Sequence, residues 1–276
     1  MSIVKDDLGD RMKMLENMTS STRMMPLLPV FARIDGRAFH SFTRGMKRPY
    51  DGCFSSMMVD TTLFLAKETN ARIGYTQSDE ITLMWLSEDY RSQIIFDGRH
   101  SKMVSQLAAM ATLKFYQLVV ERMPGYASKF PTFDCRVWQV PNKMESVNVF
   151  VWREWDAVKN SISMAAQSVY SHRELHGKNG KEKQEMLHRK GINWNDYPVA
   201  FKRGTYVQRR TEAIAFTPQE IEKLPMKHEA RTNPDLVVER SKFVIVDMPP
   251  ITKVVNVFDA IFDGAVPCSN PTRGSK

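Results

Sequence analysis

The stretch LLPVFARI, residues 27–34, is a near-continuous apolar run. It is far too short to cross a membrane and fits a central strand buried on both faces. The run ends in Asp35-Gly36, so the rest of the chain must be arranged around a buried strand with a carboxylate at its tip. A helix is expected over residues 53–70, where Phe54, Met57, Met58, Thr61, Phe64 and Leu65 share one face. ARIGYTQ and EITLMWL read as two strands around a tight SDE connection. Residues 100–122 read as a second helix closed by Pro-Gly, and TFDCRVWQV, residues 132–140, as a fourth strand. The order β-α-β-β-α-β is the split βαβ or ferredoxin-type arrangement, an α+β fold whose two helices cover one face of an antiparallel sheet.

Outside that core a short helix is expected within residues 1–24, with Met12, Leu15 and Met18 at helical spacing. Downstream come a long helix over residues 146–172, a basic Gly-interrupted segment at 176–191 and two strands at 203–216 and 241–249. The tail, residues 267–276, is expected to be disordered. These boundaries suggest a catalytic core over residues 1–145 and an extension over 146–276 packed on it as one compact unit.

In a split βαβ sheet the first and third strands are central neighbours. Asp35, Asp79 and Glu80 would then meet at one sheet edge. Two carboxylates about 4 Å apart repel by roughly 4 kcal/mol at an effective dielectric near 20. A shared proton or a divalent cation offsets that, and hard oxygen donors without a His or Cys cluster favour Mg²⁺ or Mn²⁺. The turn after Asp35, from Gly36 to His40, is placed to face phosphate oxygens with its backbone N–H groups, Gly36 lacking a side chain to block them. Arg37, His40, Lys47 and Arg48 would add cations, and no P-loop motif is present.

RIDGRAFHSFTR (33–44) together with GYTQSDEITLMW (74–85) resembles the signature pair of the tRNA-His guanylyltransferase family, which includes tRNA-repair relatives, the 3′–5′ polymerases. PTFDCRVWQVPN, WREWDAVKNSISM, KEKQEMLHRKGINWNDYP and FKRGTYV resemble its later segments, so that the likeness runs over residues 28–210. The resemblance implies a polymerase-palm-like fold. It implies an enzyme that activates a tRNA 5′ end with a nucleoside triphosphate, ATP or GTP, and adds nucleotides there with two Mg²⁺ ions. Carried over by position, Asp35, Asp79 and the Gly36 carbonyl would hold the metals, with Glu80 beside them in the catalytic group. Gly36, Arg37, Ala38, Phe39, His40, Arg48, Ser78, Lys202 and Arg203 would bind nucleotide. The family's HINNLYN-type run is altered here to Val158-Lys159-Asn160-Ser161, which points to the repair-type branch. A homo-oligomer, a tetramer by resemblance, is expected.

Lys and Arg number 39 against 31 Asp and Glu, a formal net charge of +8 that favours polyanionic partners such as tRNA. Lys178–Lys190 and Lys202–Arg210, with Trp194, Tyr197 and Tyr206 among them, suit RNA contacts. Three scattered cysteines, Cys53, Cys135 and Cys268, form no zinc or CxxC spacing and are read as reduced thiols. With no signal-peptide pattern and no apolar run near membrane length, a cytoplasmic protein without a membrane partner is expected. Two other readings compete: a palm-type nucleotidyl cyclase, which lacks its GG[DE]EF-type signature here, and a non-catalytic RNA-binding protein of the same fold.

Overall fold

The computed structural model describes residues 5–233 and 235–269. Strands β1 (Val30–Gly36), β2 (Ile73–Gln77), β3 (Glu80–Trp85), β4 (Phe133–Gln139), β5 (Thr205–Ala215) and β6 (Val237–Val246) form one antiparallel sheet in the order β4-β1-β3-β2-β5-β6. The helices are α1 (Lys5–Ser20), α2 (Phe39–Phe42), α3 (Gly52–Glu68), α4 (His100–Arg122), α5 (Lys143–Gln167), α6 (His172–Leu175), α7 (Gly180–Arg189), α8 (Val199–Arg203) and α9 (Pro218–Lys223). The first four strands, with α3 and α4 between them, stand in the expected β-α-β-β-α-β order. β5 and β6 extend the same sheet through β2.

Two apolar layers sandwich the sheet. On one face Ile34, Ile81 and Cys135 pack under α3 and α4. Helix α4 buries Met103, Leu107, Ala111, Phe115, Leu118 and Val119. Phe115 meets Phe39, Phe42, Phe54 and Phe133 at ring centroids of 5.6, 5.8, 5.9 and 5.4 Å. Each such ring stabilises by roughly 1.5–3 kcal/mol on burial, which ties the short α2 turn to the core. On the other face Phe31, Tyr75, Met84 and Tyr206 pack against Val147 and Phe150 of α5. Side-chain N-caps start α3 and α5: Asp51 accepts from Cys53 and Phe54 at α3, and Asn142 from Glu145 at α5.

Several boundaries differ from expectation. The long helix begins at Lys143 and stops at Gln167, because Ser171 opens a separate capped turn, α6. In α1, Met12, Leu15 and Met18 lie exposed rather than packed. Helix α4 is long enough, and its apolar central part hydrophobic enough, to pass for a membrane-crossing helix. Run-counting misses this because Lys and Gln interrupt it, and here its apolar side faces the sheet. Of the tail expected to be disordered, residues 270–276 lie outside the described residues.

Helix α5 is fixed to the sheet by charge as well as by apolar contact. Arg153, with a side chain 1% exposed, binds Glu80 at the head of β3 and Asp156 at 3.3 Å. Removing one partner of a buried ion pair strands the other. Arg153→Ala should therefore lower unfolding free energy by about 3–5 kcal/mol, read by urea denaturation. A loss below about 1 kcal/mol would show that the pair behaves as a surface one. All three cysteines are free thiols, and burial pushes the Cys135 thiol up to about 12. In native protein at pH 8, iodoacetamide should therefore label exposed Cys268 and leave Cys135 unmodified until denaturant is added.

Candidate functional site

Antiparallel register builds the site. Asp35 stands opposite Glu80 on β3 and opposite Asp134 on β4. Two residues back along β1, Arg33 stands opposite Arg136. Two further back, Phe31 is paired with Trp138 and stacks on it at 5.6 Å. Because alternate residues share a face, this face carries a row of carboxylates, then a row of guanidiniums, then a row of aromatic rings.

Asp79 reaches the carboxylate end from the β2–β3 turn. Gly36 donates its N–H to the Asp79 carbonyl at 3.1 Å. Ser78 in that turn is left-handed, φ 53°, as the first central residue of a two-residue hairpin requires. Its hydroxyl donates to Asp79 Oδ1 at 3.0 Å. Burial raises the Asp79 pKa, Asp35 raises it further, and the Ser78 hydroxyl, a backbone N–H and His40 act against the rise. Burial is also the main cause that raises Asp35, with Asp134 adding to it and Arg33, Arg136 and Arg153 opposing. Burial thus makes the charged form of both acids costly, more than the groups around them offset.

Glu80 is differently placed. Its carboxylate is held by Arg153, and Arg33 approaches it at 3.7 Å. It faces guanidinium rather than the other two acids. Sequence reasoning named Glu80 but missed Asp134, whose signal was the FDCR strand paired beside β1.

A cleft of about 490 Å³ opens beside Asp79. Of the expected residues, Gly36, Ala38, Phe39, His40, Lys47, Arg48, Ser78 and Asp79 line it. Tyr50, Met164, Gln167 and Phe201 complete the far wall, with Tyr50 and Phe201 stacked at 4.9 Å. None of these four was singled out from the sequence, since they meet only when α5 and α8 fold over the α2–α3 connection.

The cradle differs in detail from expectation. A side chain on Gly36 would lie 2.4 Å from the Phe39 ring, so the glycine makes room for that core ring rather than for phosphate. The Gly36 and Arg37 N–H groups already donate to Asp79 and Thr132. The N–H groups of Ala38, Phe39 and His40 have no backbone acceptor among the described residues. Ala38 is left-handed (φ 55°, ψ 35°) and precedes the right-handed α2 turn, the alternation that converges successive N–H groups on an anion. Lys129, unforeseen, clamps this turn. Its ammonium donates to the Phe42 and Arg44 carbonyls at 2.7 and 3.1 Å and lies 4.3 Å from the Tyr126 ring centroid.

Asp35, Glu80, Arg37, Lys202 and Arg203 do not line the cleft. Arg37 is exposed; Lys202 donates to the Asn195 carbonyl and lies over Trp194; Arg203 lines a separate recess with Glu154 and Tyr206. In α8 the lysine and arginine turn to its outer side while Ala200 and Phe201 face the cleft.

Residues 9–141 match the family model for tRNAHis guanylyltransferase. A bacterial tRNA(His) guanylyltransferase-like protein solved in complex with ATP is 39% identical, with a TM-score of 0.69, covering 73% of this chain and 88% of that one. A second such bacterial structure, in complex with GTP, is 32% identical with a TM-score of 0.69, over 90% and 94% of the two chains. The tRNA(His) guanylyltransferase of Schizosaccharomyces pombe is 26% identical over 197 residues, 66% of this chain and 74% of that protein. The mixed helical and antiparallel-sheet fold is the one these solved structures share. This chain belongs to the tRNAHis guanylyltransferase family, a family of nucleotidyltransferases.

Proposed function

We propose that this protein is a Mg²⁺-dependent nucleotidyltransferase that activates the 5′ end of a tRNA with a nucleoside triphosphate and adds nucleotides to it. The observation that carries this reading is the pair Asp35 and Asp79, two carboxylates whose pKa burial raises, on a strand tip and a turn joined by the Gly36 N–H, with Asp79 lining a nucleotide-sized cleft. ATP and GTP as substrates are supported by the bacterial relatives crystallised with each.

The residues present fit a hard divalent cation. Among the described residues no group of three or more His, Cys, Asp or Glu side chains converges on one point. Two carboxylates with room left for phosphate oxygens and water are what Mg²⁺ favours, and closed protein cages suit it less. Asp35 and Asp79 would hold it, with the Gly36 carbonyl at hand, and a bound Mg²⁺ would activate an attacking hydroxyl and offset charge on a leaving pyrophosphate. The chain does the rest. The Ala38, Phe39 and His40 N–H groups cradle the triphosphate, His40 and Arg48 add charge at the cleft mouth, and the Phe201 wall excludes water from the base. Arg153 keeps Glu80 turned from the cations so that Asp35 and Asp79 alone set the ligand geometry. The framework of β1 to β4 serves as a polymerase-type palm, and residues 146–276 work with it as one unit, closing the cleft through Gln167 and Phe201. Val158 in place of the family's histidine favours the repair-type branch, in which the tRNA itself templates the added nucleotide.

Incubation with a tRNA lacking its first nucleotide, ATP and labelled GTP should place label at the RNA 5′ end, and Asp79→Ala should abolish it. Absence of label with wild-type protein at every Mg²⁺ and Mn²⁺ concentration would sink the proposal. A stability measurement tests the site separately. An acid whose folded pKa is raised makes the fold less stable as pH climbs past its ordinary value of 3.8. Asp79→Asn should therefore melt higher than wild type at pH 7 without metal, and the difference should vanish below pH 3.8. Millimolar Mg²⁺ with nucleotide should raise the melting temperature of wild type and leave that of the Asn variant unmoved.

A further inference from the structure

Beside the carboxylate row lies a strip that the triphosphate cleft does not use. Helix α5 covers only the inner part of the sheet face, and β4 is an edge strand, so Arg136 remains exposed. Its guanidinium has no hydrogen bond or ion pair among the described residues. Arg33, its register partner, lies 5.9 Å from the Trp152 ring centroid on α5, and its buried Nε makes no hydrogen bond, the Glu80 carboxylate standing 3.7 Å away. Trp152 is 47% exposed and Trp155 65%. Tryptophan is ordinarily among the most buried of side chains, so two exposed indoles one helical turn apart call for a partner.

The direction of α5 gives the pair its meaning. Phe150 packs on the aromatic row and Arg153 reaches the acid row at Glu80, so the helix runs along the strip toward the acids. Trp155 lies one turn nearer the carboxylate end than Trp152. The triphosphate cleft opens on the other side of Asp79, along the α2 turn and α8. Two guanidiniums and two exposed indoles beside the acid row, outside the cleft that α5 lines farther on with Met164 and Gln167, have the composition of a platform for unpaired nucleic acid. Arginine meets phosphate there, and indoles meet bases.

We infer that Arg33, Arg136, Trp152 and Trp155 form the platform on which the unpaired end of the RNA acceptor is laid, stacked on the two indoles and held by Arg136 at phosphate. The inference deepens the proposed tRNA 5′-end chemistry and rests on it. Neither Trp155 nor Arg136 touches the cleft, so nucleotide binding and RNA binding separate in the test.

The experiment titrates full-length protein with a tRNA transcript lacking its 5′ nucleotide, in EDTA, following tryptophan fluorescence and filter retention. Trp155→Ala should weaken RNA binding roughly 5- to 100-fold, as loss of one stacked base predicts, and Trp155→Phe should restore most of it. Arg136→Ala should weaken binding and lower the salt slope by about one. The KM for GTP should stay within about twofold of wild type in both, as for a group outside the nucleotide's contacts. RNA binding by Trp155→Ala and Arg136→Ala equal to wild type, with transfer activity intact, would overturn the platform and leave the proposed function standing. A fall in oligomer mass on Trp155→Ala, read by light scattering, would also overturn it and make the strip a contact between copies. Wild-type protein that neither retains RNA nor labels it would remove both readings together.

Discussion

The antiparallel pairing of β1 with β3 on one side and β4 on the other decides where every charged group of the centre stands. A slip of one residue would turn Ile34 toward the acids and Asp35 into the core. What prevents the slip lies on the opposite face, where Ile34, Ile81 and Cys135 form a buried row beneath α3 and α4. The apolar row and the carboxylate row are two sides of one register, and the chemistry is held in place by residues that never touch it. Arg153 adds a polar lock from α5, pinning the head of β3 next to the turn that carries Asp79.

Such a site opposes its own folding. Burial raises both Asp35 and Asp79, Asp134 adds to the first and Asp35 to the second, and two non-glycine residues, Ala38 and Ser78, sit in left-handed backbone within reach of them. Left-handed backbone in such residues costs of order 1–3 kcal/mol each and persists only where the surroundings over-determine it. Those surroundings are the Phe39, Phe42, Phe54, Phe115 and Phe133 rings beneath the α2 turn, and Lys129 across its carbonyls. The aromatic cluster is the structural counterweight to the charged one.

Strand and helix order were legible because each element of the core carries an unbroken period of its own, from the apolar run of β1 to the helical face of α4. The meeting of Asp35 with Asp79 followed from that order alone. What stayed hidden was whatever depends on a side chain's final direction. The Phe39 ring occupying the Gly36 gap, Arg153 taking Glu80 across 73 positions, and Lys129 reaching back more than 80 positions to Phe42 and Arg44 are tertiary facts with no local pattern. Lys202 shows the converse. A basic pair beside a glycine looks ready for phosphate, yet a five-residue helix has two sides, and here the apolar one, with Ala200 and Phe201, took the cleft.

Lys129 and Arg136 stand seven positions apart on one span of chain, the first clamping the α2 turn and the second lying on the free edge of the sheet. Between them β4 is held to a neighbouring strand only along its β1 side. The clamp on the α2 turn and the free edge of the sheet are therefore joined by one span whose only strand ladder is with β1.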